Sequence, residues 1–470
     1  MSRQGHASNE QILRDLLGHL GLHDPCPIDI QGNDPITPSP HRIGDACAVA
    51  LAALGAEMAR IHKERTGQQD SVAVSVERAI PQLMAVYLSA TNNIPAARLL
   101  PEPAMFAWSD FYEARNGRYV FLLNTYPHLR GINCRVLNCP FDKERLRQEI
   151  VKWDAFALED AICAQGGTCI AVRSAQEWSS HPQGEILLQS PLIDIEKLDD
   201  GEPEPWPTSP TKNEQPGQPL TGIRVLDNTH VIAGPMSARI LAEHGAEVLS
   251  MASPEHMDPL AMTLETGLGK RSAFCDLDDA THRARFYEAL SGADVYITSY
   301  LSLDKKGFGP LRLKQYRPGL IFCDFHGWGK SGPWRGRGAF DQLACAATGF
   351  AAEEGSPDGP SLPPTHLLND YLAAILAAAA MSEALRRRAR DGGSYRVHIS
   401  LAKVAMWVQG MGLFSHSEVA SLRAPAATQL RQDETLLRHV RYVEDFITPS
   451  FKSGSPTPGS SPLTWESSAP

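Results

Sequence analysis

Apolar residues recur at helical spacing from Ala46 to Lys63, and again through an Ala-rich run from Tyr371 to Met381. Each run is headed by an acidic residue, Asp45 or Asp370. Each is followed by a glycine-containing turn and a short alternating stretch, V-A-V-S ending at Ser75 and V-H-I-S ending at Ser400. The step is 325 residues at both landmarks (370 − 45 and 400 − 75), so no insertion separates them. The pattern predicts one supersecondary unit written twice: acidic residue, helix, Gly turn, strand. That period is far too long for a solenoid, and the chain reads as two overlapping pieces of one fold joined in tandem.

The rest of the pattern fills in the organisation. Residues 1–40 mix polar residues with Pro and Gly and are expected to wrap the surface or stay mobile. Within 41–198 the spacing predicts a strand at Ser71–Ser75, a helix from Glu77 towards Ala90, and a strand at Arg118–Leu123 after an Asn-Gly turn. Helices are predicted at Lys143–Lys152, Ala155–Ala164 and Ala175–Ser180. The proline-rich, acidic stretch 199–219 reads as a linker.

From 220 to 412 short apolar strands alternate with helices. The strands are Ile223–Leu226, Ala246–Met251, Asp294–Thr298 and Leu320–Asp324; Pro235 lies in the first turn of a helix running Met236–Glu243. Such alternation predicts an α/β fold: a Rossmann-like parallel sheet in a large domain, with a smaller α+β domain and long linking helices. Residues 413–470 read as a degenerate tail, disordered from Ser453.

Composition narrows the chemistry. At 470 residues more than one domain is expected. The net charge of −10 argues against general nucleic-acid binding. The nine cysteines form no C-x-x-C pair, which indicates neither a zinc site nor a disulfide framework. The N-terminus lacks a secretory leader and the longest apolar run is too short to span a bilayer, so a cytoplasmic setting without a membrane is expected. No G-x-G-x-x-G follows the strand at Ile223, so a nicotinamide dinucleotide is not supported. The loop Asp227–Pro235 does precede a helix N-terminus, where free N–H groups hold phosphate or carboxylate and Gly234 permits close backbone approach.

In order along the chain, G-I-R-V-L-D-N-T-H-V-I-A-G-P (222–235), G-K-R-S-A-F-C-D-L (269–277), G-A-D-V-Y-I-T-S-Y (292–300), R-P-G-L-I-F-C-D-F-H-G-W-G-K-S-G-P-W (317–334) and F-D-Q-L-A-C-A-A-T-G (340–349) resemble the family III CoA-transferases, the CaiB/BaiF family. Within 41–198, W-S-D-F-Y-E-A-R-N-G-R-Y-V-F-L (108–122), W-D-A-F-A-L-E-D-A (153–161) and R-S-A-Q-E-W-S-S-H-P-Q-G (173–184) resemble the C-terminal portion of the same family. The portions thus stand in reverse order, and the two halves are expected to complete one transferase-like unit.

The resemblance implies a transfer of CoA between an acyl-CoA and a carboxylic acid. No permanently bound cofactor or metal is implied, coenzyme A being a substrate, and the state is a homodimer or an internally completed pseudo-dimer. It makes Asp370 the nucleophile, exposed to the thioester at a pocket along the strand ends, and Asp45 a second candidate. An N-cap at either aspartate is the alternative. The resemblance places His230, Ala233, Gly234, Lys270, Arg271, Gly329 and Arg337 against CoA, with the Gly327–Gly332 turn as an oxyanion site.

The family's R-P-G is Leu301-Ser302-Leu303 here, its glycine four residues after the aspartate is Ala374, and Ile232 replaces the Gln of oxalate-type members. Two other readings stay open: a relative of the α-methylacyl-CoA racemases, against which Phe340 stands where a proton-moving His is needed, and a non-catalytic CoA-binding partner.

Overall fold

The computed structural model of the chain describes residues 7–88, 90–91, 94–95, 98, 108–207, 218–253, 257–356, 358–424, 440–444, 446–451 and 453–465. The duplicated segment takes the same local fold twice. Helix α2 (Ile43–Thr66) and helix α11 (Leu368–Asp391) are both 24 residues long, with bounds that differ by 325 at each end. Strand β2 (Val72–Ser75) follows the first and β12 (Tyr395–Ser400) the second. Each has one parallel neighbour, β1 (Ile28–Gln31) or β11 (Ile321–His326). Each also has one antiparallel neighbour, β13 (Val440–Tyr442) or β6 (Asp194–Lys197). Alanine-rich faces let α2 and α11 pack closely, and almost every residue of both is buried.

The large sheet has seven strands in the order β9-β8-β7-β10-β11-β12-β6. Here β7 is Arg224–Asn228, β8 is Glu247–Ala252, β9 is Lys270–Phe274 and β10 is Val295–Thr298. Six strands are parallel; β6 closes the edge antiparallel to β12. The parallel part is a doubly wound sheet whose strand order reverses between β7 and β10. Because β6 belongs to the first half of the chain, that half supplies the last strand of the second half's sheet. Helix α7 (Ala233–Glu243) and α11 cover one face. One hydrophobic core runs from Leu16 of the first helix through α2, α7 and α11 to Val408.

A smaller layer holds β3 (Asp110–Glu113), β4 (Tyr119–Leu122) and β5 (Cys169–Ala171) in one antiparallel sheet. It is backed by α3 (Pro127–Leu137), α4 (Lys143–Ile150) and α5 (Ala155–Ala164), around Tyr112, Val120, Leu146, Leu158 and Ile162. This is the smaller α+β layer expected beside a Rossmann-like sheet.

Several expectations are corrected. The N-terminal stretch is not a surface wrap throughout: α1 (Asn9–Leu20) is N-capped by Ser8 and buries Ile12, Leu13, Leu16, Leu17 and Leu20 at helical spacing. The helix expected from Glu77 to Ala90 is broken. Pro81 interrupts it, and a 3₁₀ stretch Ile80–Met84 separates Val76–Ala79 from Ala85–Leu88. Of the expected linker, 199–207 is fastened down: Asp199 pairs with Lys314 at 2.9 Å and Glu204 with Arg317 at 2.5 Å. Residues 208–217 lie outside the described residues. The tail is not loose from Ser453: Leu463 is buried, and the Trp465 indole donates to the Ala289 carbonyl at 2.7 Å. The end of that expectation, 466–470, lies outside the described residues. Helix α11 is long and apolar enough to cross a bilayer by composition, but its apolar window is wholly inside the protein.

Candidate active site

The crevice where strand order reverses is built by the loops after β7 and β10. After β7 the chain runs Thr229, His230, Val231, Ile232 into α7; after β10 it runs Ser299, Tyr300. The His230 ring stacks on Tyr300 with centroids 4.6 Å apart, and the His230 N–H donates to Ser299 Oγ at 3.1 Å. Val231 has φ 69, a strained conformation for a β-branched residue. Its N–H donates to Asp258 Oδ2 at 2.8 Å, and the Tyr126 hydroxyl donates to Asp258 Oδ1 at 2.8 Å. Tyr126 belongs to the smaller layer, so Asp258 ties that layer to the strained loop. A cavity opens here, lined by Thr229, His230, Asp258 and Tyr300 at one end and by Ser250–Ser253 and Ser272 further along. Its position, outside the carboxyl ends of parallel strands at the reversal, is where α/β sheets take ligands.

Asp370 is the third residue of α11, two places past the helix start, and the N-cap is Leu367 with no side-chain cap. Asp370 is therefore not an N-cap. That role falls to Asp341, at the head of α10 (Asp341–Thr348), whose Oδ2 accepts the Asp370 N–H at 2.8 Å while Oδ1 accepts from Asn369 Nδ2 at 3.2 Å. Asp341 is fully buried and burial pushes its carboxyl up to about 7. Asp370 is only 5% exposed; burial first, and the neighbouring Asp341 charge second, raise its carboxyl well above the usual range. Its side chain makes no hydrogen bond or ion pair among the described residues. The Tyr87 and Tyr126 hydroxyls both feel the Asp370 charge, which places them in its surroundings. The open exposure expected for Asp370 is not found: packing of α10, α11 and these tyrosines encloses it.

Asp45 is the contrast. It is fully buried and paired with Arg42 at 2.8 Å, and it accepts from Asn9 Nδ2 at 2.8 Å and from the Asp34 N–H at 3.1 Å. Asp34 Oδ2 accepts the Asp45 N–H at 2.8 Å, as Asp341 does for Asp370. The first copy repeats the geometry of the second with its carboxylate fully engaged.

The remaining residues expected against CoA divide. His230 lines the crevice, and Ala233 and Gly234 open α7 beside it. At Gly234 the close neighbour is protein: a Cβ there would meet Thr229 at 2.5 Å. Lys270 borders the crevice, but its ammonium is held by Asp227 at 2.7 Å and by the Pro235 carbonyl at 2.6 Å, almost wholly buried. It knits β9 to β7 rather than offering charge. Arg271, the next residue along β9, binds Glu247 at 3.3 Å and the Thr464 carbonyl at 2.9 Å, away from the cavity.

Arg337 is spent on Glu159 at 3.2 Å and Asp160 at 2.9 Å. The Gly329 turn is clamped by Gln183 of α6 (Pro182–Gln189), whose amide spans the Trp328 and Ser331 carbonyls and the Trp334 N–H at 2.7–2.9 Å. The cavity it lines contains Leu187, His398 and Lys403, not Asp370. Missing from the sequence reading were Asp341, Tyr126, Asp258 and Tyr300. Only Asp341 carried a signal, in F-D-Q-L.

A second cavity adjoins the first at Tyr300 and lies between the ends of β10 and β11. On its wall stand Lys305 and Arg335, exposed cations with no ion pair among the described residues. Beneath them Asp324 is held by Arg396 and by His398 Nδ1 at 2.7 Å.

Residues 220–441 match the model of CoA-transferase family III. The chain is 28% identical over 354 residues to the acetyl-coenzyme A transferase nodX of Hypoxylon pulicicidum, which covers 70% of this chain and 58% of that one. It is 31% identical over 214 residues to the succinyl-CoA–L-malate CoA-transferase alpha subunit of Chloroflexus aurantiacus, covering 42% of this chain and 50% of that one. The crystal structure of Rv3272 from M. tuberculosis matches 41% of this chain and 57% of its own at 30% identity, with a TM-score of 0.39. The chain spans about half the length of the curated relatives it matches. Residues 220–441, which hold the reversal crevice and Asp370, are thus the part of the chain that is similar to CoA-transferase family III.

Proposed function

We propose that this chain moves CoA between an acyl-CoA and a carboxylic acid, with Asp370 as the covalent carrier. The observation that supports this most is the pair of aspartates: Asp45 is saturated by partners, whereas the Asp370 side chain carries no hydrogen bond among the described residues. A desolvated, unpaired carboxylate is costly, and such groups concentrate where chemistry needs them.

The Asp370 carboxylate attacks the thioester carbonyl, the C–S bond breaks, and CoA leaves as thiolate with a mixed anhydride behind. The thiolate then attacks the Asp370 carbonyl and releases the donor acid, giving an aspartyl-CoA thioester. The acceptor carboxylate attacks that thioester. Thiolate returns to the acceptor acyl carbon, freeing acyl-CoA and Asp370. The Tyr126 hydroxyl is a neutral donor for the oxyanions, held un-ionised by burial and then by the Asp258 charge. Lys305 and Arg335 supply cations for the CoA phosphates on the side where Leu301 offers none. The relatives named for acetyl-CoA, acyl-CoA and succinyl-CoA transfer agree with the reaction class.

Because Asp370 is enclosed, the thioester reaches it only if the packing around it opens on binding. That enclosure is the one observation favouring the non-catalytic CoA-binding reading. Incubation with acyl-CoA, hydroxylamine trapping and mass spectrometry separates the two. The adduct is expected in wild type and Asp45→Asn and absent in Asp370→Asn. CoA binding with no adduct in any of them makes the chain a binding protein.

A further inference from the structure

Asp324 on β11 and His398 on β12 form a pair of which only one end is engaged. Asp324 accepts from His398 Nδ1 at 2.7 Å and from the Arg396 guanidinium. Because the carboxylate accepts, Nδ1 carries the proton and Nε2 keeps its lone pair. That nitrogen is buried without a hydrogen-bond partner among the described residues, on a side chain only 8% exposed. A buried polar atom left this way calls for a ligand or a water to complete it.

His398 lines the small cavity beneath the Gly329 turn. The turn's carbonyls are engaged: those of Trp328 and Ser331 accept from Gln183, and that of Gly329 from His326 Nδ1 at 3.3 Å. The N–H groups of Gly329, Lys330 and Ser331 have no acceptor among the described residues. Helix α12 (Leu401–Gln409) starts at the same cavity, and its N-cap Ser400 makes no side-chain cap; the Ser400 hydroxyl donates to the Gly327 carbonyl instead. Lys403, in the first turn of α12, reaches the Leu187 and Leu188 carbonyls at 2.8 and 3.4 Å, and no carboxylate neutralises it among the described residues. The one acid among the lining residues, Asp194, is paired with Lys330 at 2.6 Å.

The lining therefore presents one cation, unpaired N–H groups and a helix N-terminus, which attract an anion, together with one lone pair, which asks for a donor. An anion that still carries a proton meets both demands. Inorganic phosphate near neutral pH is such an anion, whereas sulfate and carboxylates are fully ionised. We infer that this cavity binds phosphate, its hydroxyl donating to His398 Nε2 and its anionic oxygens accepting from Lys403 and the Gly329 turn. The site stands apart from the proposed coenzyme crevice: Lys330 is the one lining residue it shares with the second cavity, and it shares none with the first.

Calorimetric titration of the full chain with inorganic phosphate at neutral pH tests it, with sulfate as the control. Sulfate is expected to bind about tenfold more weakly than phosphate, and Lys403→Met and His398→Phe are each expected to weaken phosphate about tenfold. His398→Phe leaves Asp324 with Arg396 alone; should that variant fail to fold, Lys403→Met, altered at a half-buried side chain, decides. Added CoA should leave phosphate affinity unchanged. Equal affinity for the two anions, wild-type affinity in Lys403→Met, or displacement by CoA overturns the inference. So does a failure of the unaltered chain to take up phosphate at about 10 mM.

Discussion

Asp341→Asn tests the physics of the buried pair most directly. The Asp341 carboxyl has an ordinary value of 3.8 in the unfolded chain and is pushed up to about 7 in the folded one. The folded state therefore holds the proton more tightly. Its stabilising effect is complete below 3.8 and is lost as pH rises through 7. The difference of 3.2 units (7 − 3.8) corresponds to about 4 kcal/mol at 1.36 kcal/mol per unit. Asparagine is neutral at every pH and so escapes this loss. It does turn an N–H₂ towards one of the two donors now satisfied, the Asp370 N–H or Asn369 Nδ2, at a pH-independent cost of about 1–3 kcal/mol.

Asp341→Asn should thus be less stable than wild type at pH 4 and more stable at pH 8.5, the curves crossing between. For a cooperative unit of 470 residues the unfolding entropy is roughly 1 kcal/mol per degree, so the Tm difference should swing by about 4 °C. Other buried acids titrate in both proteins and cancel, except Asp370, which is relieved of its neighbour and moves the difference the same way. Paired calorimetric scans at the two pH values read the swing. A Tm difference that stays constant between them would refute the claim that Asp341 is held protonated by its burial. If the proposed transfer runs through Asp370, whose carboxyl is raised by burial and then by the Asp341 charge, its rate should rise with pH in wild type, and Asp341→Asn should move that limb to lower pH.

Three further outcomes are expected. Glu57 is buried between α2 and α11 with no hydrogen bond on either oxygen, and burial and then the Glu383 charge push it up to about 8. Glu57→Gln should therefore stabilise the chain above pH 8 by on the order of 3–5 kcal/mol and leave it unchanged near pH 4, as urea midpoints at the two pH values will show. Gln183→Ala removes three hydrogen bonds between α6 and the Gly329 turn and should cost about 2–4 kcal/mol, with early proteolysis near 327–336 as the readout. Residues 219–415 expressed alone lack β6, α2 and Gln183, and should aggregate or expose their sheet edge; a monodisperse, cooperatively melting fragment would show that the halves do not complete each other.

What could be read from the sequence was what local pattern dictates. The two 24-residue helices, the strands of the parallel sheet and the turn before β4 follow from periodicity and from glycine at chain reversals. What escaped depends on partners far away in the chain. Lys270 reads as a free cation after a glycine turn, yet its partner Asp227 lies 43 residues earlier on β7, two strands away in the sheet. Arg337 reads the same way, and its partners are 178 and 177 residues distant. The capping carboxylate of α11 sits on another helix, 29 residues before the N–H it satisfies, which no N-cap signature detects. Helix α1 and the seated tail 453–465 were hidden by the Pro and Gly around them; short elements of that composition hold only through tertiary contacts.

The two helix entries, set side by side, differ in the feature that leaves Asp370 unpaired among the described residues. Shifted by 325, Arg42 falls on Leu367, and both precede their aspartate by three residues. In the first copy the guanidinium neutralises Asp45, and Asn9, from a helix with no counterpart before Leu367, fills the remaining acceptor site. In the second copy Leu367 is an apolar buried residue and gives Asp370 nothing. Both copies keep the feature that fixes the helix start, an aspartate from elsewhere bonded to the helical N–H. The architecture of the helix entry is therefore shared, and the charge balance is not. An isolated carboxylate at 5% exposure, beside a second acid, is costly to the fold, and the carrier role proposed for Asp370 gives that cost a use.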